Sequence, residues 1–310
     1  DRNTAVGYFA MYTQVNSGTE VPANSAFGGF SGYYNATGER NTYIGYESGY
    51  GTDGNSQSNN VALGYQSFGR VTTASGSVMI GVRAGFNVTS GNSNIAIGSG
   101  SMGVATVTGN DNIAIGTHAG DALTSGTKNM AMGYDALGDM TVGTNNIAFG
   151  YESMNALQGN DGGFGNHNIA IGTDSMGSVE GYHSGTEIDS NIAIGTNAML
   201  GGDLGNNNVD FKSNIAIGQN ALDATSTNAQ VGVIAIGFNA LTDMTTGGGS
   251  TGGNTVIGYE AAKQTTTGGG NTVLGYEALN GDSDGDGADN TSLGHKSLHD
   301  AVSPSKNVAI

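Results

Sequence analysis

The acidic segment that begins at residue 282 is the clearest arrangement of side chains that could do chemistry. Carboxylates alternate there with small residues, at Asp282, Asp284, Asp286 and Asp289. Calcium takes several oxygen ligands from closely spaced residues, so this pattern matches the first half of a calcium-binding loop. The twelfth position from Asp282 is Leu293, where such a loop carries a bidentate glutamate. The segment therefore predicts either a calcium site at the four aspartates or an acidic loop that only meets solvent.

The other reactive residue types are not arranged for catalysis. The chain has five histidines and no cysteine, and no histidine stands in a metal-binding motif or beside a nucleophile in a known catalytic motif. The glycine-rich segments contain no phosphate-binding loop and no dinucleotide-binding motif. We therefore expect a non-enzymatic protein with no cofactor apart from the predicted calcium.

Composition excludes several kinds of partner. The 310 residues carry nine Lys and Arg against 26 Asp and Glu, which gives a net charge of −17. Binding to nucleic acid or to an anionic membrane needs a basic surface, so neither is an expected partner. No apolar run is long enough to cross a bilayer, so we expect no membrane insertion. The 56 glycines disfavour helices, because each one costs about 1 kcal/mol relative to alanine inside a helix.

A short word recurs along the whole chain. Its strongest form is Asn-Ile-Ala-Ile-Gly, and sixteen copies align on the closing glycine. The closing glycines are never fewer than 17 residues apart, and every departure from 17 is longer. A fixed minimum with variable excess is typical of solenoid coils that carry loop insertions at one edge. The closing glycines are Gly7, Gly28, Gly45, Gly64, Gly81, Gly98, Gly116, Gly133, Gly150, Gly172, Gly195, Gly218, Gly237, Gly258, Gly275 and Gly294.

Each copy predicts one coil of a parallel β-roll. The Asn-Ile-Ala-Ile segment forms a strand, and the glycine makes a corner because it adopts backbone angles that other residues resist. A second short strand and a variable loop complete the coil. The chain is thus predicted to be all-β, a β-roll or β-solenoid of about sixteen coils in a single domain over 1–310. We expect the isoleucine columns to fill a thin interior and the leading asparagines to form an amide ladder.

The residue between the two isoleucines is mostly alanine. Side chains alternate along a strand, so alanine and isoleucine face opposite sides. With isoleucine inside, alanine lies on the outer face, where its small size suggests that another backbone comes close. We therefore expect several copies of the chain to meet through this column, while an alanine column that is simply tolerated on an exposed face is the alternative. The predicted interface residues are Ala96, Ala114, Ala131, Ala148, Ala170, Ala193, Ala216 and Ala235.

Two words carry a resemblance to a known family. Asn-Ile-Ala-Ile-Gly and Gly-Tyr-Glu-Ala-Leu, the latter at 275–279, resemble the head repeats of trimeric autotransporter adhesins. Similar repeats occur in phage tail fibres and in large bacterial surface proteins. The resemblance covers all sixteen coils. It implies a left-handed parallel β-roll, three chains packed side by side as a homotrimer, and an extracellular location on a bacterial cell surface or a virion. The unit here is longer than the adhesin unit, which predicts a more elaborate loop edge.

The longest insertions are the candidate binding sites. They lie at 151–168, 177–190 and 201–213. Loops on a rigid scaffold commonly carry function, and aromatic and polar side chains there suit weak contacts with a cell-surface glycan or receptor. Loops that are tolerated without any ligand are the alternative. The predicted ligand-binding residues are Glu180, Tyr182, His183, Glu187, Phe211 and Lys212.

The sequence favours a non-enzymatic extracellular fibre or adhesin segment, which forms a rigid trimeric rod and presents loops for attachment. The chain stops at Ile310 within the opening of another repeat, so we expect a piece of a longer protein. A structural filament subunit that polymerises lengthwise is an alternative. An ice-binding solenoid is less favoured, because the threonines that replace isoleucine, such as Thr255 and Thr272, are expected to point inward.

Overall fold

The chain forms two compact units in a computed structural model, Asp1–Gly143 and Thr144–Ile310. Both units repeat the same coil, and the single domain expected from the sequence stays a prediction. The structure describes residues 2–15, 22–156, 165–179, 187–201, 210–224, 230–244, 253–281, 287–301 and 303–310.

Short parallel strands stack in sequence order in the first unit. β1 pairs with β2, and so on to β8. The register sets like residues side by side, as with Ala96 beside Ala114. The strands are β1 (Thr4–Val6), β2 (Ser25–Phe27), β3 (Thr42–Ile44), β4 (Val61–Leu63), β5 (Val78–Ile80), β6 (Ile95–Ile97), β7 (Ile113–Ile115) and β8 (Met130–Met132), and β9 (Gly143–Thr144) spans the boundary between the units.

The second unit contains the same stack and a second sheet. Its main strands are β10 (Ile147–Phe149), β12 (Ile169–Ile171), β14 (Ile192–Ile194), β16 (Ile215–Ile217), β18 (Ile234–Ile236), β19 (Thr255–Ile257), β20 (Thr272–Leu274), β21 (Thr291–Leu293) and β22 (Val308–Ala309). The second sheet contains β11 (Gly165–Asn166), β13 (Ile188–Asp189), β15 (Phe211–Lys212) and β17 (Gln230–Val231). These four strands also pair in parallel and in sequence order.

The predicted fold class is confirmed as an all-β parallel β-solenoid. No helix occurs in the described part of the chain. The described residues hold sixteen three-residue strands of the main stack, each just before a closing glycine, and the two-residue β22 follows them. The coil count therefore differs slightly from sixteen, because Val308–Ala309 starts a repeat that has no closing glycine within the sequence.

The closing glycine makes the corner for two physical reasons. Gly116 has φ +140°, a region that residues with a side chain rarely adopt. A Cβ atom on Gly116 would also collide with the backbone carbonyl oxygen of Gly133 in the next coil. Consecutive corners therefore stack backbone on backbone, and the role expected of this glycine is confirmed.

The expected orientation of the first strand is wrong. The central residue points inward and is fully buried, as Ala114 shows, whereas Ile113 and Ile115 are only partly covered. The expectation placed the more apolar pair inside, but the interior is already filled from the opposite wall. Large side chains that follow each corner, such as Met102 and Leu137, are fully buried there. A methyl group is what fits across from them, so isoleucine is left on the outer face.

Size complementarity across the interior supports this reading. Where the central residue is large, as with Tyr43 and Met79, the fourth residue after the corner is a glycine. A Cβ on Gly49 would collide with the Tyr43 ring, and a Cβ on Gly85 would collide with the Met79 side chain. Where the central residue is alanine, that position usually carries Met, Leu or Phe. In these coils a large side chain on one wall thus faces a small one on the other, as close-packed cores require.

The leading asparagines form the predicted ladder inside the coil. The Asn112 backbone N–H donates to Oδ1 of Asn94 at 2.9 Å, and its side-chain Nδ2 donates to the same oxygen at 3.1 Å. Nδ2 also donates to the Gly126 carbonyl at 2.8 Å, across the coil. Both asparagines are fully buried, so their amide groups satisfy polar groups of the coil's inner backbone.

Candidate functional site

The residues predicted to bind a ligand do not all have the same outcome in the structure. Glu180, Tyr182 and His183 lie outside the described residues. Phe211 is fully buried, between Ile188 and Gln230 in the second sheet. Its ring belongs to the core and cannot contact a ligand, so this part of the prediction is wrong.

Glu187 and Lys212 come together on the surface of the second unit. Lys212 Nζ lies 2.7 Å from Glu187 Oε2 and 2.8 Å from Asp210 Oδ2. Two hydrogen bonds raise the pKa of the Lys212 ammonium, the one to Asp210 having the larger effect and the one to Glu187 the smaller. The three charged groups tie neighbouring coils together, and the ligand-binding role of Glu187 and Lys212 stays a prediction.

The calcium prediction falls mostly outside the described residues. Asp282, Asp284 and Asp286 are among the residues that the structure leaves undescribed. Asp289 is described. It is exposed, and its backbone lies in the left-handed region with φ 57°. Within the described ranges, no group of three or more acidic, histidine or cysteine side chains could hold a metal ion. The calcium site therefore stays a prediction.

The alanine column cannot serve as a chain–chain contact, because it has no accessible surface. All eight predicted interface alanines are 0% exposed within a single chain: Ala96, Ala114, Ala131, Ala148, Ala170, Ala193, Ala216 and Ala235. The prediction failed because alternation shows which residues share a face but not which face is inside.

An apolar stripe lies instead on the outer face, and we call it the isoleucine stripe. It consists of the first and third residues of the main strands in each unit. In the first unit Val6 is 56% exposed and Leu63 is 41% exposed, and in the second unit Phe149 is 51% exposed. No described position of the stripe carries a charged residue, although the chain as a whole has 26 acidic side chains.

Aromatic rings stack along the corner of the second unit. Phe238, Tyr259 and Tyr276 have centroids 5.2 and 5.1 Å apart, with planes within 15° of parallel. Beside them, Tyr276 and Lys296 contact the Glu277 carboxylate, and these hydrogen bonds lower its pKa. The ring faces cover one another and the carboxylate is paired. This ladder therefore stabilises the roll and leaves few groups able to bind a ligand.

A second aromatic ladder lies in the first unit. Tyr12, Tyr33 and Tyr50 stack with centroids 5.2 and 5.3 Å apart and planes within 15° of parallel. Phe30 contacts this ladder edge-on, 6.4 Å from Tyr50. The Tyr50 end of the ladder borders a cavity, and this is where the unit offers room for a ligand.

Two cavities open along this edge of the first unit. The first, which we call the Glu47 cavity, has a volume of about 310 Å³. The second, which we call the His118 cavity, has a volume of about 290 Å³. The Glu47 cavity is lined by Glu47, Tyr50, Thr52, Gln66, Arg70 and Phe86, together with Gly51 and Gly69. The His118 cavity is lined by Val82, Arg83, Asn87, Ser99, Val104 and His118, together with Gly100 and Gly103.

The polar groups of the two cavities differ. In the Glu47 cavity, Gln66 Nε2 donates to Glu47 Oε2 at 2.7 Å, so the carboxylate is held in place with acceptor capacity left over. In the His118 cavity, Nδ1 of His118 lies 3.1 Å from Asp121 Oδ2, which fixes the imidazole ring. Burial raises the pKa of the Asp121 carboxyl, and the hydrogen bond with His118 opposes that rise.

Comparison of the chain with protein-family models, with curated proteins and with solved structures finds no match. The resemblance to adhesin head repeats therefore stays a prediction from the residues. Among the described residues, no helix has the length and hydrophobicity needed to cross a bilayer.

Sequence reasoning missed both cavities, although a signal for them exists. The fifth residue after the corner is aromatic at Tyr12, Tyr33, Tyr50 and Phe86, but it is glycine at Gly69 and Gly103. Each of these glycines lines one of the cavities. A column that alternates between a ring and no side chain is visible in the alignment of the repeats.

Proposed function

We propose that the chain is a non-enzymatic segment of an extracellular fibre, built from three copies packed side by side and displayed on a bacterial cell surface or a virion. The number of copies, the location and a left-handed roll come from the resemblance of the Asn-Ile-Ala-Ile-Gly repeats to adhesin heads. The segment holds binding surfaces away from the cell or particle and attaches them to a surface glycan or receptor.

The observation that carries this proposal is the isoleucine stripe. In the first unit it has two outward positions on each of eight strands. Together they expose on the order of 800 Å² of mostly apolar surface, comparable with the area that each partner buries in a stable interface. Contiguous apolar patches of this size mark interaction sites on soluble proteins.

The partner that fits this stripe is a second copy of the same chain. Each copy presents the same apolar columns at the same repeat spacing, so parallel copies in register match coil by coil and close around one axis. The stripe is uncharged in a chain of net charge −17. It is therefore a face on which two such acidic chains can meet without bringing like charges together.

Glutamates placed on the stripe test the assembly. Ile97→Glu combined with Ile115→Glu puts two charges on adjacent outward positions, where burial in an interface would leave them unpaired. The matched control is Thr106→Glu with Ser125→Glu, which adds the same charges at exposed positions away from the stripe. We expect wild type and control to sediment at three times the 31.0 kDa chain mass, and the stripe variant to sediment as a single chain.

The same measurement separates the alternatives. A wild type that sediments as a single chain contradicts the assembly. A ladder of ever longer species would favour a filament that polymerises lengthwise.

For the attachment role, the fluorescently labelled assembly is mixed with candidate host cells before and after glycosidase treatment. Binding that is lost after treatment supports a glycan receptor, and absence of binding to treated and untreated cells alike contradicts attachment through this segment.

One structural observation keeps ice binding as a second candidate. The threonine column was expected to point inward, and that expectation is wrong, because Thr255, Thr272 and Thr291 lie in register on the outer face of β19–β21. Isoleucine or valine occupies the same column in most other coils, so the threonine array is short. Thermal hysteresis of a protein solution measures this activity directly, and we expect none.

A further inference from the structure

The edge of the first unit that contains the two cavities carries an interrupted aromatic column. The stacked rings of Tyr12, Tyr33 and Tyr50 end where Gly69 takes the next place. Phe86 follows, and then Gly103 leaves a second gap. The Glu47 cavity lies at the first gap and the His118 cavity at the second. The gaps alternate with rings, so each cavity has an aromatic residue beside it in this column.

Two arginines flank the ring between the gaps. Cζ of Arg83 lies 4.5 Å from the centroid of Phe86, and Cζ of Arg70 lies 5.2 Å from it. Both arginines are exposed, and in the part of the chain that the structure describes neither forms an ion pair. The chain has only nine basic residues against 26 acidic ones, so two unpaired arginines on one ring are an unusual concentration of positive charge.

The two cavities differ in the charge that they favour. The His118 cavity presents Arg83, Asn87 and Ser99, and none of its lining residues is acidic. His118 is held by Asp121 just outside the lining, so Arg83 is the cation that is left to bind a ligand. An arginine can hold a carboxylate through two parallel hydrogen bonds, which makes this cavity a site for a carboxylate group. The Glu47 cavity is lined by both the Glu47 carboxylate and Arg70, so its charges balance and it favours a neutral group whose hydroxyls donate to Glu47.

We propose that this edge binds an acidic oligosaccharide, with a carboxylated sugar in the His118 cavity and a neutral sugar, two sugar units away, in the Glu47 cavity. The inference rests on the proposed attachment function and names its ligand class. The apolar faces of sugar rings pack on the half-buried rings of Tyr50 and Phe86, while hydroxyls bond to Glu47, Gln66 and Thr52. Cavities of about 300 Å³ lie at the lower end of the range for ligand pockets, a size suited to one sugar ring each.

The arrangement also explains why the site lies on a repeating scaffold. Neighbouring coils stack about 4.8 Å apart, and the two gaps in the column are two coils apart. An extended oligosaccharide lying along the stack can therefore reach both cavities. Each such contact is weak, and simultaneous binding by several copies of the chain multiplies the strength of attachment.

The test uses a linear sialylated tetrasaccharide, with one carboxylated terminal sugar followed by three neutral sugars, titrated into the intact protein by ligand-observed NMR. Arg83→Gln removes the carboxylate partner. Ser99→Tyr fills the His118 cavity with a residue that the fold already accepts at the same place after the corner, as at Tyr65 and Tyr134. The matched control is Arg40→Gln, an exposed arginine outside both cavities that contacts Glu39.

We expect saturable binding to the wild type, at least tenfold weaker binding to Arg83→Gln and to Ser99→Tyr, and binding within twofold of wild type for Arg40→Gln. The carboxyl-reduced tetrasaccharide should bind at least tenfold more weakly than the native one. No saturable binding to the wild type overturns the proposal, as does unchanged binding by both cavity variants. Equal binding of the carboxyl-reduced sugar overturns the assignment of a carboxylate to the His118 cavity.

The outcome is independent of the assembly. Both cavities lie within one unit of one chain, so the titration can be run on the single-chain Ile97→Glu, Ile115→Glu variant as well. Sugar binding by a wild type that itself sediments as a single chain supports the site and contradicts the fibre. A trimer that binds no acidic sugar contradicts this site and leaves the fibre standing.

Discussion

Asn191 and Asn168 are joined through a single oxygen atom. Oδ1 of Asn168 accepts the backbone N–H and the side-chain Nδ2 of Asn191, each at 3.0 Å. Nδ2 of Asn191 also donates to the carbonyl of Phe211 at 2.7 Å. Both asparagines are fully buried, so one amide group joins two coils of the main stack to the second sheet.

The first prediction concerns this amide. Asn191→Asp keeps the shape of the side chain but replaces the donor with a second oxygen that faces two acceptors. We expect a loss of about 3–5 kcal/mol in the free energy of unfolding, as for an uncompensated buried charge. The control is Asn220→Asp, in a half-buried ladder where Nδ2 donates to Asn239 at 3.0 Å, with an expected loss below about 1 kcal/mol. Urea unfolding measures the loss of unfolding free energy for each variant. Equal losses would show that the buried asparagine ladder stabilises the fold no more than the half-buried one.

The second prediction concerns the corner glycine. Gly116→Ala meets both a strained φ and the Gly133 carbonyl of the next coil. Gly54→Ala meets a φ of +83° but no atom within 4 Å. Strain at such a φ costs about 1–3 kcal/mol, and the collision adds to that at Gly116 alone. Thermal unfolding should therefore show a clearly larger drop in Tm for Gly116→Ala, and similar drops would contradict the account of stacked corners.

The third prediction concerns interior volume. Met79→Ala removes a fully buried side chain and should cost about 2–5 kcal/mol. Gly85→Met alone should also destabilise, because its Cβ collides with Met79. Combined, the two changes reproduce the pairing of Ala96 with Met102 in the next coil, so the double variant should recover most of the loss. A double-mutant cycle by urea unfolding measures this coupling, and additive losses would contradict complementarity across the interior.

The fourth prediction concerns pH. Burial, and then the nearby charge of Asp243, raise the pKa of Asp223. A carboxyl whose folded pKa lies above its unfolded value opposes folding when ionised, so the penalty is full above the folded pKa and absent below the unfolded pKa. Asp223→Asn should therefore stabilise the protein at pH 7, and the gain should vanish as the pH falls below about 4, the ordinary range for aspartate. The exposed Asp111→Asn serves as the control. A gain that persists at low pH would contradict the electrostatic cause.

The repeat by itself determined most of the fold. The minimum spacing of 17 residues, the corner glycines and the leading asparagines predicted a parallel all-β solenoid with an amide ladder, and each of these features is present. These features are local, because each depends on one coil and its nearest neighbours. A pattern repeated sixteen times reveals such requirements without knowledge of the tertiary structure.

The tertiary structure alone decided which side of the strand faces in. Alternation puts Ala114 and Ile115 on opposite faces, but either face could be the interior. The choice depends on the opposite wall, where residues such as Met102 leave room for only a methyl group. For the same reason Phe211 lies in the core rather than in a ligand site. The cavities beside Gly69 and Gly103 were likewise found only in the tertiary structure. These outcomes depend on how much volume lies between the facing walls of a folded coil, and the periodicity of the sequence does not contain that quantity.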